Sequence, residues 1–461
     1  MGNCCLNPAA QSLLPNPTNE PEYHKHQVIH IYEKDRFDRI IGSQGVKFEL
    51  LAPIHQETLI ASAAKIPVRV TGCVIPGLDP RGEINKECQD IYTFFQKEDT
   101  ILAVLFDGHG KEGQKIAKFC KDYMVTFFTE NFSKFNENPI DAIVELVQEC
   151  DESLSSSGIA SNLSGATAVV VVISPSGIHA GSVGDSRAIL ATLPRESAVI
   201  KPQNVPHKIS SKWSHKALPM RILSPVTITV DQKPNHAEEL KRITASGGVV
   251  EKITDDQGNP VGPYRVWLKK GNYPGLAMSR SIGDTIAHEI GVTSTPICNS
   301  FELYPECDQF IVLASDGLWD VMDNQEVSNF VEKYRSITKH FPSDEYPAKH
   351  TNSTIARLLC EEARYRWFGV VEDEDVMIDD ISVIVIEFTS VEPMAIAEKS
   401  PRNERNIKKF QSISFESEMI KQKTIVRNDP HRGSITKGEE HNEILEAAIE
   451  VMHEEEGNDI K

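Results

Sequence analysis

Asp107-Gly108-His109-Gly110 follows directly on the apolar residues 101–106. A carboxylate and an imidazole two residues apart, on a backbone that glycine lets bend tightly, pair a ligand for hard cations with a group that moves protons near neutral pH. Two readings fit these four residues taken alone: a site for metal-assisted acid-base chemistry, and an ordinary turn. The pattern recurs at the apolar run 310–314, which ends in Ser315-Asp316-Gly317. Asp379 and Asp380 precede the apolar run 381–388, Asp90 precedes Ile91-Tyr92, and Asp185 lies in the turn Gly184-Asp185-Ser186. Each aspartate singly has a structural explanation, because its side chain bonds backbone N–H groups in turns. Together, on neighbouring strand ends, these carboxylates would form one cluster whose mutual repulsion bound cations relieve. An oxygen-only set suits Mg²⁺ or Mn²⁺, and the lack of matched His and Cys ligands argues against zinc. Two such ions about 3.5–4 Å apart can share a water, lower its pKa and aim it at a phosphorus. His109 is placed to protonate the departing oxygen.

The elements that must position these residues are short apolar runs between Gly and Pro. Strands are expected over 68–74, 101–106, 166–173, 178–183, 187–190, 310–314 and 381–388, and helices over 114–131, 139–155, 324–333 and 352–366. Strands outnumber helices and follow one another without regular β-α alternation. This predicts an α+β fold of antiparallel sheets with helices packed outside. Residues 1–65 read as a flexible N-terminal segment, 66–389 as the catalytic domain, and 390–461 as a charged tail. Within the domain, 192–225 is polar and basic and reads as a surface insertion. The tail carries a basic block over 401–437 and an acidic one over 439–459. In the acidic block Ile444, Leu445, Ala448, Ile449 and Met452 share a helical face, a candidate docking helix. Ser412, Ser414 and Ser434 lie near basic residues and are candidates for phosphorylation.

The 461 residues, 40 % hydrophobic and 25 % charged, have the composition of a soluble globular protein with polar appendages. A net charge of −19 excludes a non-specific nucleic-acid binder, which needs a basic face. The nine cysteines form no CxxC pair and are odd in number, so neither a zinc site nor a disulfide framework is indicated, and a reducing cytoplasmic compartment is expected. No window approaches the roughly 18 apolar residues of a membrane span. Met1-Gly2-Asn3-Cys4-Cys5 places Gly2 for myristoylation beside two thiols, Cys4 and Cys5, open to palmitoylation. Dual acylation would tether the chain to the cytoplasmic face of a membrane. Leu6 stands where Ser or Thr is usual, so an unmodified terminus is the other reading.

The chain resembles the metal-dependent protein Ser/Thr phosphatases, the PPM or type 2C family. The segments that carry the resemblance are 87–90 (ECQD), 104–110, 164–168 (SGATA), 181–187 and 245–249. They continue, in the family's order, with 265–267, 274–284 (PGLAMSRSIGD), 313–321 (LASDGLWDV) and 379–386 (DDISVIVI). The resemblance implies two central antiparallel sheets sandwiched between helical layers, with metals at one sheet edge. It implies hydrolysis of phosphoserine and phosphothreonine in protein substrates by a water or hydroxide activated at a two-metal site, in a monomer. Asp90, Asp107, Asp316, Asp379 and the carbonyl of Gly108 would hold the two ions, and Asp185 with Asp316 a weaker third. His109 matches the general acid, and Lys86 falls where many members place a basic residue for the substrate phosphate. Gln89 stands where some members have Glu, and Asp380 replaces the usual Asn, adding a negative charge near the site. Trp267 and Trp319 are expected to fill core or flap packing, and Arg280 to pair with Asp284. Two rivals remain: a catalytically silent, membrane-tethered binding member of the same fold, and a structural protein that binds divalent cations.

Overall fold

The computed structural model describes residues 55–78, 87–194, 221–340, 354–370 and 378–389. All belong to the first of two units into which the chain divides, Met1–Ile396 and Ala397–Lys461. The N-terminal motif with Gly2, Cys4 and Cys5, Lys86, most of the expected insertion and the C-terminal tail with its serines lie outside the described residues.

The described residues begin with β1 (His55–Ala63), β2 (Ile66–Ile75), β3 (Asp90–Lys97) and β4 (Thr100–His109). Helices α1 (Gly113–Glu130), α2 (Phe132–Glu137) and α3 (Pro139–Ser155) follow. Next come β5 (Gly165–Ala166), β6 (Ala168–Ser174), β7 (Gly177–Val183), β8 (Arg187–Thr192) and β9 (Ser224–Thr227). After α4 (Ala237–Ala245) come β10 (Val249–Thr254), β11 (Pro260–Trp267), β12 (Pro274–Leu276) and β13 (Ile282–Gly283). The last elements of the described residues are α5 (Thr285–Glu289), β14 (Ile297–Phe301), β15 (Asp308–Ala314), α6 (Asp316–Trp319), α7 (Asn324–His340), α8 (Ile355–Val370) and β16 (Ile381–Phe388).

Two antiparallel sheets form the centre. One has the order β1-β2-β16-β15-β8-β9, the other β13-β5-β4-β6-β7-β14 with β3 on β4. Their central strands are buried on both faces, which is why they read as continuous apolar runs rather than alternating ones. Successive side chains still divide between two environments. Ile101, Ala103 and Leu105 of β4 meet Ile311, Leu313, Ile384 and Ile386 of the other sheet. Their neighbours Leu102, Val104 and Phe106 face Ile116, Met124, Phe128 and Leu146 of α1 and α3. On the far side Phe310, Val312, Val383 and Val385 pack on Val327, Val331, Leu359 and Ala363 of α7 and α8. The result is the expected α+β sandwich of two sheets between helical layers.

Two boundaries differ from expectation. Residues 55–63, placed by their sequence in the flexible lead-in, form edge strand β1, paired from His55↔Val74 to Ala63↔Ile66. An edge strand with one wet face needs few apolar residues, so only the short stretch Leu59-Ile60-Ala61 marks it. The ends of the expected insertion also belong to the sheet, since Thr192 of β8 pairs with Ser224 of β9.

Candidate active site

The register of β3 and β4 places Asp90 directly opposite Asp107. Beyond Asp107 the strand continues through Gly108 and His109, which pair with Ala166 and Gly165 of β5. A Cβ on Gly108 would lie 2.5 Å from the carbonyl oxygen of Gly113 and 2.9 Å from that of Gln89, so no larger residue fits. Thr167 holds Asp107 by its backbone, its N–H donating to Asp107 O (2.9 Å) and its Oγ1 accepting from Asp107 N (3.1 Å).

The second sheet brings its aspartates to the same edge. Ala314 at the end of β15 pairs with Val383 near the start of β16, so Asp316 and Asp379 emerge side by side. Ser315 ties the two sheets together: its Oγ donates to Asp90 Oδ2 at 2.6 Å and accepts from Ser382 N at 3.0 Å. Asp185 sits in the turn from β7 to β8, where the chain passes between sheets, and Lys233 Nζ donates to its Oδ2.

The electrostatics follow from this convergence. Burial, then the neighbouring Asp380 carboxylate, holds Asp90 well above the usual carboxylate range, while hydrogen bonds from Ser315 and Ser382 oppose the shift. Burial followed by the charges of Asp90 and Asp316 raises Asp107 in the same way. Burial and then Asp185 and Asp379 raise Asp316. Asp320, which the motif reading passed over, adds to the field at Asp316 and is itself raised, by burial first and Asp185 among its neighbours. Such a site is short of positive charge.

Among the described residues no three His, Cys, Asp or Glu side chains form a ready-made metal cage. The aspartates share a field rather than one centre. Their oxygens nonetheless fit a cation: Oδ1 of Asp90, of Asp185 and of Asp316 are each buried without a hydrogen-bond partner among the described residues. Buried carboxylate oxygens left bare are costly unless a cation or proton meets them, and oxygen donors alone suit Mg²⁺ or Mn²⁺.

His109 stands beside the cluster. Its Nε2 lies 2.6 Å from Asp284 Oδ2, and its Nδ1 is buried without a partner among the described residues. Burial pulls its pKa down, but the Asp284 carboxylate outweighs that effect and the net direction is up. Asp284 therefore does not pair with Arg280 as expected. Arg280 instead grips Glu239 of α4, NH2 to Oε1 at 2.6 Å, because α4 packs under that segment and Asp284 faces the other way.

The departures at 89 and 380 turn out to be linked. Asp380 is buried and accepts from Gly77 N (2.5 Å) and Gln89 N (2.9 Å), joining the ends of β2 and β16 to the start of β3. Gln89 Nε2 donates in turn to Gly110 O at 2.7 Å, bracing the loop after His109. Trp319 is buried, with Nε1 bonded to Ala314 O and its ring under Arg187. Trp267 is half-buried on the β10–β12 ribbon, its Nε1 donating to Glu251 O. Both fill packing positions.

Residues 84–367 match the family model for protein phosphatase 2C. The chain is 27 % identical over 359 residues to "Probable protein phosphatase 2C 73" of Arabidopsis thaliana, covering 72 % of this chain and 83 % of that protein. It is 30 % identical over 325 residues to "Probable protein phosphatase 2C 41" of the same plant, covering 67 % and 80 %. In fold it is similar to a serine-threonine phosphatase 2C from Toxoplasma gondii, with a TM-score of 0.52 at 17 % identity over 73 % of this chain and 99 % of that one.

Proposed function

The chain belongs to the protein phosphatase 2C family, and from that premise we propose that it hydrolyses phosphoserine and phosphothreonine esters of protein substrates with Mg²⁺ or Mn²⁺. The observation that carries the metal requirement is the set of bare, buried oxygens on Asp90, Asp185 and Asp316 beside His109. Asp90, Asp107, Asp316, Asp379 and the Gly108 carbonyl would hold two ions, and Asp185 with Asp316 a weaker third. When bound, the ions lower the pKa of a shared water and neutralise the phosphate. The remaining work belongs to the side chains. His109 gives a proton to the departing serine or threonine oxygen. Lys86, outside the described residues, would meet the substrate phosphate. Replacing His109 with Gln should cut phosphopeptide turnover by about 10²–10⁴-fold with Mn²⁺ affinity unchanged. Unaltered turnover would remove His109 from the mechanism, and a wild-type protein that binds Mn²⁺ without releasing phosphate would favour the silent binding member.

We also propose that Gly2, Cys4 and Cys5 carry the acyl chains that tether this activity to the cytoplasmic face of a membrane, on the strength of the sequence Met1-Gly2-Asn3-Cys4-Cys5. Metabolic labelling with a myristate analogue tests this. Label that persists in Gly2→Ala, or never enters the wild type, contradicts it.

A further inference from the structure

Asp284 is buried, at 1 % exposure, and holds φ at +47°, a conformation that non-glycine residues rarely adopt. Two short strands beside β4 put it there. Gly283 of β13 pairs with Gly165 of β5, which pairs with His109 of β4. The intervening residue has no side chain, and a Cβ on Gly165 would lie 2.3 Å from Asp284 Oδ2. The carboxylate thus reaches across a bare glycine to His109 Nε2, while the Asp284 backbone is fixed by its N–H to Ser164 O at 2.9 Å. The opposite ring nitrogen, Nδ1, is buried and has no partner among the described residues.

A carboxylate on one nitrogen of an imidazole selects the tautomer protonated there and fixes the ring plane, which decides what the other nitrogen does. We propose that Asp284 is a positioning residue for proton delivery: it accepts the Nε2–H of His109 and leaves Nδ1 to serve the departing oxygen. The inference rests on the phosphatase reading above. In the step concerned, a water oxygen forms a bond to phosphorus and the bond from phosphorus to the serine oxygen breaks, its electron pair staying on that oxygen. That oxygen takes the proton from Nδ1, leaving a neutral ring whose Nε2–H still points to Asp284. The proton lost by the attacking water balances the one His109 gives.

A residue that only braces the fold would slow every substrate alike. A residue that acts through the proton donor matters in proportion to the leaving group's need for a proton. Asp284→Asn should therefore lower kcat on a phosphoserine peptide, an alkyl leaving group, by about 10²-fold. On p-nitrophenyl phosphate, whose phenolate leaves without a proton, the loss should stay under about threefold. Combined with His109→Gln, it should add little to the single variant, as expected of residues acting as a unit. Equal losses on both substrates, or none on either, would overturn the proposal. Long-range ¹⁵N correlation spectra of wild-type protein without metal, at a pH where the ring is neutral, give a readout independent of turnover and of the variant's folding. The Nε2–H tautomer of His109 is expected, and the Nδ1–H tautomer would overturn the assignment. A wild-type protein inactive on both substrates with Mn²⁺, yet showing the Nε2–H tautomer, would instead count against the phosphatase reading.

Discussion

Asp90 and Asp107 face one another directly across β3 and β4. Opposed cross-strand side chains have Cβ atoms about 4.5–5.5 Å apart, so like charges there destabilise the sheet. Ser315 and Ser382 offset part of this at Asp90, but its Oδ1 is left bare. The sheet edge is built at the expense of its own stability, and a bound divalent cation would reverse the sign of that contribution.

Cation binding should therefore appear as thermal stabilisation. A cation at 100 times its Kd adds about 2.7 kcal/mol to a protein that binds it only when folded. The melting temperature of chelator-treated protein should rise by several degrees on adding Mg²⁺ or Mn²⁺. Asp107→Asn should melt higher than wild type in chelator and lose most of the response to Mg²⁺. A wild-type melting temperature indifferent to both ions would contradict the cluster's role.

Asp380 is coupled to a second buried charge. Arg364 on α8 is 3 % exposed, and its Nε, NH1 and NH2 have no hydrogen-bond partner among the described residues. Burial pulls its pKa down to about 10, against the opposing pull of Asp380. Replacing Asp380 with Asn leaves this guanidinium uncompensated and should cost about 3 kcal/mol in urea unfolding. Arg364→Met, added to Asp380→Asn, should recover at least about 1 kcal/mol of that loss. Strict additivity of the two substitutions would show that the charges do not interact.

Glu239 supplies a pH signature. It accepts from Arg242 NH2 (2.7 Å), Arg280 NH2 (2.6 Å) and Ser279 Oγ (2.6 Å), anchoring the segment that leads to Asp284. Burial would raise its pKa, but these partners, Arg280 foremost, reverse the effect and hold it at about 2. A folded pKa below the unfolded value of about 4.3 means the stabilisation is complete above the unfolded value and is lost as pH falls through the folded one. Glu239→Gln should thus be less stable than wild type at neutral pH by about 3 kcal/mol. The gap should close between about pH 4.3 and pH 2. A gap that stays constant over that range would contradict the assignment.

What could be read from the residues follows from where each signal resides. Strands 310–314 and 381–388 are legible because burial on both faces demands unbroken apolar runs, and the end aspartates Asp316 and Asp379 are visible against them. Helix Pro139–Ser155 is legible because Pro139 opens it and one face is apolar throughout. Edge strand β1 is hidden by its polar, wet face. Asp284 escapes because its partner is set by β5 and β13, two residues each, too short for any periodicity. Asp380 is visible as a departure, but its two backbone partners come from Gly77 and Gln89, some 300 residues away in sequence.

The central claim is that the strand-end aspartates hold the cations that drive phosphate release. It is tested most directly by phosphate released from a phosphoserine peptide with Mg²⁺, with Mn²⁺ and with chelator, on wild type and on Asp316→Ala. Turnover by wild type with either ion, its loss in chelator and its loss in Asp316→Ala are the predicted results. Turnover that survives chelation, or an Asp316→Ala protein as active as wild type, would contradict the claim.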